Sequence, residues 1–241
     1  MSERSTQRQR IIEKIKSRGY WDVTIRPTRF VEEHLTLQHC RELVDESKVK
    51  LRGWYYPHIS RRHPPQVGGV DYIESLIDWN GYIEIWRMYQ SGQFTHLFGC
   101  REDWLNERTG ILAVPQYADI EPGSVLGVIM ALFSLTEIYE FASRLAEKDL
   151  FDRTAFMSIT LHGMNNRGLK FFDERRTLFE DYICRINDLP REKTIEVTEL
   201  LGKGREMALD DAIWILQRFN WMDVSRDMLR EDQKKLFERR L

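Results

Sequence analysis

Residues 72–100 read YIESLIDWNGYIEIWRMYQSGQFTHLFGC, and the fold class turns on this stretch. Tyr72 to Trp79 alternates, with Ile73, Ile77 and Trp79 on one side. A period of two is that of a pleated strand. Asn80-Gly81 follows, the strongest short hairpin signal, and Tyr82 to Gln90 resumes as a second strand. Its Tyr82, Ile83, Ile85, Trp86, Met88 and Tyr89 cover both faces. Ser91-Gly92 turns the chain again, and Gln93 to Cys100 returns. The expectation is a three-stranded antiparallel meander whose aromatic load suits packing against a helix.

Gly123 to Lys148 supplies a long helix. Its first half is apolar nearly all round, from Val125 to Leu135, as in a helix held inside a core. The second half keeps Ile138, Tyr139, Phe141, Ala142 and Leu145 on one face and sets Glu140 and Arg144 four apart outside. Beyond it, Thr154 to His162 alternates again, and Asn165-Asn166-Arg167-Gly168 turns it into Leu169 to Phe172. Tyr182 to Ile186 and Lys193 to Thr198 read as a further strand pair. A second, C-terminal sheet is therefore expected. An amphipathic helix at Met207 to Phe219 and a charged helical tail close the chain. The organisation expected is a basic N-terminal helix over residues 1–19, an α+β core over 20–172, and strands and helices over 173–241.

Towards the N-terminus, Ser5 to Arg18 reads as a cationic helix with a narrow stripe of Ile11, Ile12 and Ile15, ended by Gly19. It is either a solvated helix docked by its isoleucines or an arm for phosphate or a partner. Tyr20 to Arg26 reads as a strand stopped by Pro27. Thr28 is placed to cap a helix from Arg29 towards Lys48, with Leu37, Cys40, Leu43 and Val44 inside. A strand from Val49 to Tyr56 would complete a strand–helix–strand unit, with a loop from Ile59 to Val70 after it.

The chain has 241 residues, 42% of them hydrophobic, and a net charge of −2, so it can build a core and is not a globally basic nucleic-acid binder. Cys40, Cys100 and Cys184 are odd in number and have no C-x-x-C spacing. That argues against a disulfide framework or a structural zinc site and for a reducing cytoplasm. The N-terminal twenty residues hold no apolar run, and Val125 to Leu135 is too short to span a bilayer, so no membrane association is expected. Phosphate-loop, dinucleotide, zinc-protease and nucleophile-elbow motifs are missing. Gly202-Lys203-Gly204 lacks the spacing of a phosphate loop and reads as a helix-terminating turn.

The working surface is expected at residues 51–63, LRGWYYPHISRRH. Arg52, Trp54, Tyr55, Tyr56, His58, Arg61, Arg62 and His63 set aromatic faces beside cations, a combination that stacks on bases and meets phosphate. His58 and His63 could instead act as a general acid–base pair for metal-independent RNA cleavage. A metal site is disfavoured, because Arg61 and Arg62 would repel a cation and a metal asks for more ligands. The loop could equally be structural. His96 shares a strand face with Phe94 and Phe98; it joins the candidate binding residues, although that setting is commoner for a core histidine. His162 and Arg167 could line a site with His96. Glu137, inside the long helix, needs a partner if buried, and Arg52 or Arg87 could supply it. No cofactor and no metal are expected, and an enzyme is less favoured than a binder.

Four segments, Trp21 to Pro27, Leu51 to His58, Ser91 to Leu97 and Leu135 to Glu140, occur in an order that resembles the region following the AlbA-like Schlafen domain in bacterial ATP-binding or DNA-binding proteins. The resemblance covers residues 20 to 170 and carries no activity. It implies a sensing or assembly half without the Schlafen-like module, with the enzyme on a separate chain, in regulatory or phage-defence systems linked to nucleic acid. The expectation is thus an α+β protein of antiparallel meanders on a long central helix. It would be a non-catalytic binding or regulatory protein with a protein partner or a second copy, and nucleic acid as a further partner. The alternatives are the His58/His63 ribonuclease and a purely structural subunit.

Overall fold

The computed structural model describes residues 3–59, 64–110, 117, 119–173 and 175–239. In chain order the elements are α1 (Glu3–Lys16), β1 (Tyr20–Pro27), α2 (Leu37–Ser47), β2 (Gln66–Val67), β3 (Tyr72–Trp79), β4 (Tyr82–Tyr89), β5 (Phe94–Gly99), a 3-10 helix (Arg101–Glu107), β6 (Val125–Gly127), α3 (Val128–Glu147), β7 (Thr154–His162), β8 (Gly168–Lys170), β9 (Asp188–Glu196), α4 (Val197–Gln217) and α5 (Arg226–Phe237). The meander forms at β3–β4–β5. Asn80 and Gly81 take φ of 49° and 78°, the pair of left-handed residues that a two-residue hairpin turn needs.

β1 decides the topology. It pairs antiparallel with β5 on one side and β7 on the other, giving a seven-stranded antiparallel sheet in the order β2-β3-β4-β5-β1-β7-β9. Trp21, Val23 and Ile25 are buried on one face of β1, against the face that α3 covers. The second, C-terminal sheet expected from the sequence is therefore not formed: β7 and β9 extend the first sheet. The expected hairpin into residues 169–172 is absent too, because β8 pairs parallel with β6 in a separate two-stranded ribbon. Tyr182 to Ile186 contributes one bridge, between Ile183 and Gly168. One hydrophobic cluster runs from Trp21 through α3 to Leu236 of α5, so Cys184 to Leu236 share the core of the chain before them.

Three other expectations fail for local reasons. The helix after β1 starts at Leu37 and not at Arg29. Thr36 caps it, its hydroxyl accepting from His39 N–H at 3.1 Å. Leu35 is tied in both directions to Gln90, at 2.8 and 2.9 Å, which holds residues 28–35 out of helix. The strand expected from Val49 to Tyr56 shrinks to one bridge in which these two residues exchange backbone bonds of 2.8 Å. The chain between them bulges outward through Gly53, φ +92°. Gly202-Lys203-Gly204 lies inside α4 and ends nothing. A Cβ at Gly204 would come within 2.8 Å of Ser143 Oγ, so glycine there lets α3 and α4 approach closely.

α1 covers the other face of the meander. Ile11 and Ile15 pack on Ile83, Ile85 and Trp104, and each is worth about 1.5–3 kcal/mol if fully buried. Its cations are used within the chain: Arg4 and Arg8 on buried Glu74 at 3.1 and 2.6 Å, Lys14 on Asp78 at 2.8 Å, and Arg18 on Glu107 at 3.0 Å. Burial alone would raise the Glu74 carboxyl, but the bonds from Arg8 and Arg4 outweigh it and hold the carboxyl below its ordinary range. Most of the helix's charge is thus absorbed in docking, which favours the docked reading over a free arm. No helix among the described residues is long and apolar enough to cross a membrane.

Candidate functional site

The bulge between Val49 and Tyr56 lies over the end of the meander that carries the Asn80-Gly81 turn. The turn side and the strand ends beneath it leave a cleft of about 40 Å³. Arg52, Trp54, Tyr55, Tyr56 and His58 line it from the bulge, Tyr82 and Glu84 from β4, Phe98 from β5, and Arg101 from the start of the 3-10 helix. Five residues named from the sequence are thus brought together. Arg61, Arg62 and His63 lie outside the described residues, so the His58–His63 pair is not described.

The bulge is held by its backbone and by two side chains. His58 N–H donates to Glu84 at 3.0 Å, and its carbonyl accepts from Trp86 Nε1 at 2.9 Å. The Tyr56 ring packs on His96, Phe98 and Phe141 with centroids 5.1 to 5.9 Å apart. Arg52 reaches down to Glu137 of α3, forming a close ion pair in which both side chains are almost fully buried. Of the two partners open to Glu137, it is Arg52 that reaches it, while Arg87 goes to Glu74 at 3.3 Å. His96 is a correction. It is wholly buried, with Nε2 at 3.1 Å from Glu84, so it steadies that carboxylate from below and is not a ligand contact. His162, Arg167 and His96 have separate partners, Asp188, Asp103 and Glu84, and form no common site.

Arg101 is the residue the sequence reading missed. Its guanidinium carbon sits 3.7 Å from the centroid of Trp54 and 5.8 Å from that of Tyr82. Trp54 in turn meets Tyr82 edge-on at 4.6 Å, and Arg108 lies over the same Tyr82 ring at 4.9 Å. Arg101 has no carboxylate or hydrogen-bond partner among the described residues, and it faces the cleft. Burial first, and the Arg52 charge second, pull its guanidinium well below the ordinary range, with Glu137 and Tyr82 opposing. Burial also lowers the Arg108 guanidinium. A guanidinium nevertheless stays protonated in a protein. What results is undercompensated positive charge, which an anion entering the cleft would relieve.

The remaining polar atoms give the same picture. Arg52 Nε and Nη1, Arg108 Nε and Nη2, Glu137 Oε1 and the Tyr56 hydroxyl are buried without a partner among the described residues. Buried donors are ordinarily satisfied, and a cluster that is not marks a place where a ligand or ordered water completes the bonding. Tyr55, which also lines the cleft, carries Lys48 and Lys50 over its ring at 4.8 and 5.5 Å. The three cysteines are buried, and burial pushes the Cys40 thiol up to about 11. Among the described residues no group of three or more histidines, cysteines and carboxylates is arranged to hold a metal. Comparison with protein-family models, curated proteins and solved structures gave no match, so the reading of this cleft rests on its own chemistry.

Proposed function

We propose that this chain is a non-catalytic binding and regulatory protein that holds a single nucleic-acid strand at the cleft between residues 52–58 and Arg101. The observation that carries the reading is the Arg101 guanidinium, stacked on Trp54 at 3.7 Å and left without a carboxylate among the described residues. Stacking fixes the plane of the cation while its N–H groups stay free for phosphate oxygens. Trp54, Tyr55 and Tyr82 offer ring faces and edges to bases, and such contacts tolerate any sequence. A net charge of −2 fits a local contact better than long-range capture of duplex. The resemblance to the Schlafen-associated region accords with a cytoplasmic sensing or assembly role in a nucleic-acid-linked, phage-defence setting, with a protein partner or second copy alongside.

The test is a fluorescence anisotropy titration of single-stranded RNA and DNA against the wild-type chain and Arg101→Gln, run in chelator while product is followed on a gel. The expected result is saturable binding without cleavage, weakened about tenfold or more in the variant. Equal affinity in the two proteins overturns the reading. Cleavage in chelator would move the assignment to the ribonuclease alternative, with His58 in the cleft as its base.

A further inference from the structure

We propose that the cleft recognises the terminal phosphate monoester of the strand and not an internal phosphodiester, an inference that rests on the strand-binding reading above. The first reason is room. A volume of about 40 Å³ holds about three water molecules, which a tetrahedral oxyanion can displace but a nucleoside cannot. An internal phosphate brings a sugar on each side into that small space. A terminal phosphate enters alone and leaves its strand outside.

The second reason is the donor set. Arg101 presents a planar fork to the cleft with no protein acceptor among the described residues. Arg52 adds Nε and Nη1, both buried and without a partner among the described residues. Guanidinium forks match tetrahedral oxyanions in pairs. Of the carboxylates nearby, Glu84 is committed to His58 N–H and His96, and Glu137 spends one oxygen on Arg52. A monoester carries up to two negative charges at neutral pH where a diester carries one. It therefore gains more from two adjacent guanidiniums. The third reason is the pair of cations beside the cleft. Tyr55, flanked by Lys48 and Lys50, offers the next nucleotide a ring and the next phosphate a cation.

The experiment compares one oligonucleotide sequence, as RNA and as DNA, carrying a 5′-phosphate, a 3′-phosphate or hydroxyls at both ends. Anisotropy is read at constant ionic strength, with and without inorganic phosphate. The expected result is that one end phosphate tightens binding by about tenfold or more. Inorganic phosphate should erase that gain and bring the phosphate-ended strands to the affinity of the hydroxyl-ended one. Arg101→Gln should bind all three alike; the phosphate competition uses the wild-type chain, so it stands even if the variant fails to fold. Equal affinity for all three strands in the wild type overturns the terminal-phosphate inference and leaves strand binding in place. Binding of none of them overturns both.

Discussion

Two buried arginine–carboxylate pairs in this molecule look alike from a distance and differ in every bond. Arg167 holds Asp103 through two bonds of 2.8 and 2.6 Å, and its remaining donors go to the carbonyls of Gly163 and Val125. Each Asp103 oxygen takes a second donor, from Gly19 N–H and Gly123 N–H at 2.8 Å. Burial alone would lower the Arg167 guanidinium, but the Asp103 bond leads the opposing effects and it ends above its ordinary range. Arg52 and Glu137 share one bond, with a weak 3.4 Å contact to Ser134, and leave donors and an acceptor without partners among the described residues. Their neighbour Arg101 is shifted down where Arg167 is shifted up. A saturated pair is a rivet, joining β1, the 3-10 helix and the loops before β6 and β8. An unsaturated pair is an incomplete site.

The largest expected effect breaks the rivet. Asp103→Ala strands Arg167 in the core and should cost about 3–5 kcal/mol in urea unfolding, with strand affinity per folded molecule unchanged. A cost below about 1 kcal/mol would remove the structural reading of this pair. On the other side, Trp54→Ala should leave the unfolding midpoint almost in place and weaken strand binding by about 1–3 kcal/mol. The reverse pattern would make the bulge structural. Glu137→Gln sharpens the contrast most directly. It removes the competitor for Arg52, so affinity should rise about threefold to tenfold while stability falls by about 1–3 kcal/mol; a fall in affinity would show that Glu137 orders Arg52 for its ligand.

A pH series probes the rivet from its neighbour. Burial raises the Glu102 carboxyl in spite of its bond from Gly127 N–H at 2.7 Å. A raised folded-state value means stability present below the ordinary glutamate range and lost as pH rises through the folded value. Unfolding midpoints of the wild type should therefore carry a downward slope above about pH 4.3 that Glu102→Gln lacks. Identical slopes would mean that Glu102 ionises at no cost. The smallest effect is Lys50→Ala, which should lower the salt slope of strand binding by about one ion and leave stability untouched.

The two halves of the site were unequally legible. Trp54, Tyr55, Tyr56 and His58 stood out because unusual residue types are adjacent in the chain. Arg101 gave no such signal: it is one arginine after a strand end, and its worth comes from Trp54, 47 positions earlier, lying on its face. A cation directly after the third meander strand, at the end bearing the Asn80-Gly81 turn, is the clue that could have found it. Arg52 was read both as part of the recognition surface and as one of two partners for Glu137, and nothing in a sequence window shows that α3 passes beneath the bulge and makes that pair.

By itself the sequence determined what is local. Period-two alternation and the positive-φ pair Asn80-Gly81 specify the meander, and an all-round apolar run specifies α3 as a core helix, because neighbours in the chain set backbone dihedrals and faces. Only the tertiary structure decided that β1 would join two sheets into one, that the helix would begin at Thr36, and that Val49 to Tyr56 would bulge. Those outcomes depend on partners about 55 to 140 residues away, Gln90, Glu137 and β7. A strand's outward-facing hydrogen bonds are the same whichever neighbour accepts them, so packing of the shared core makes the choice.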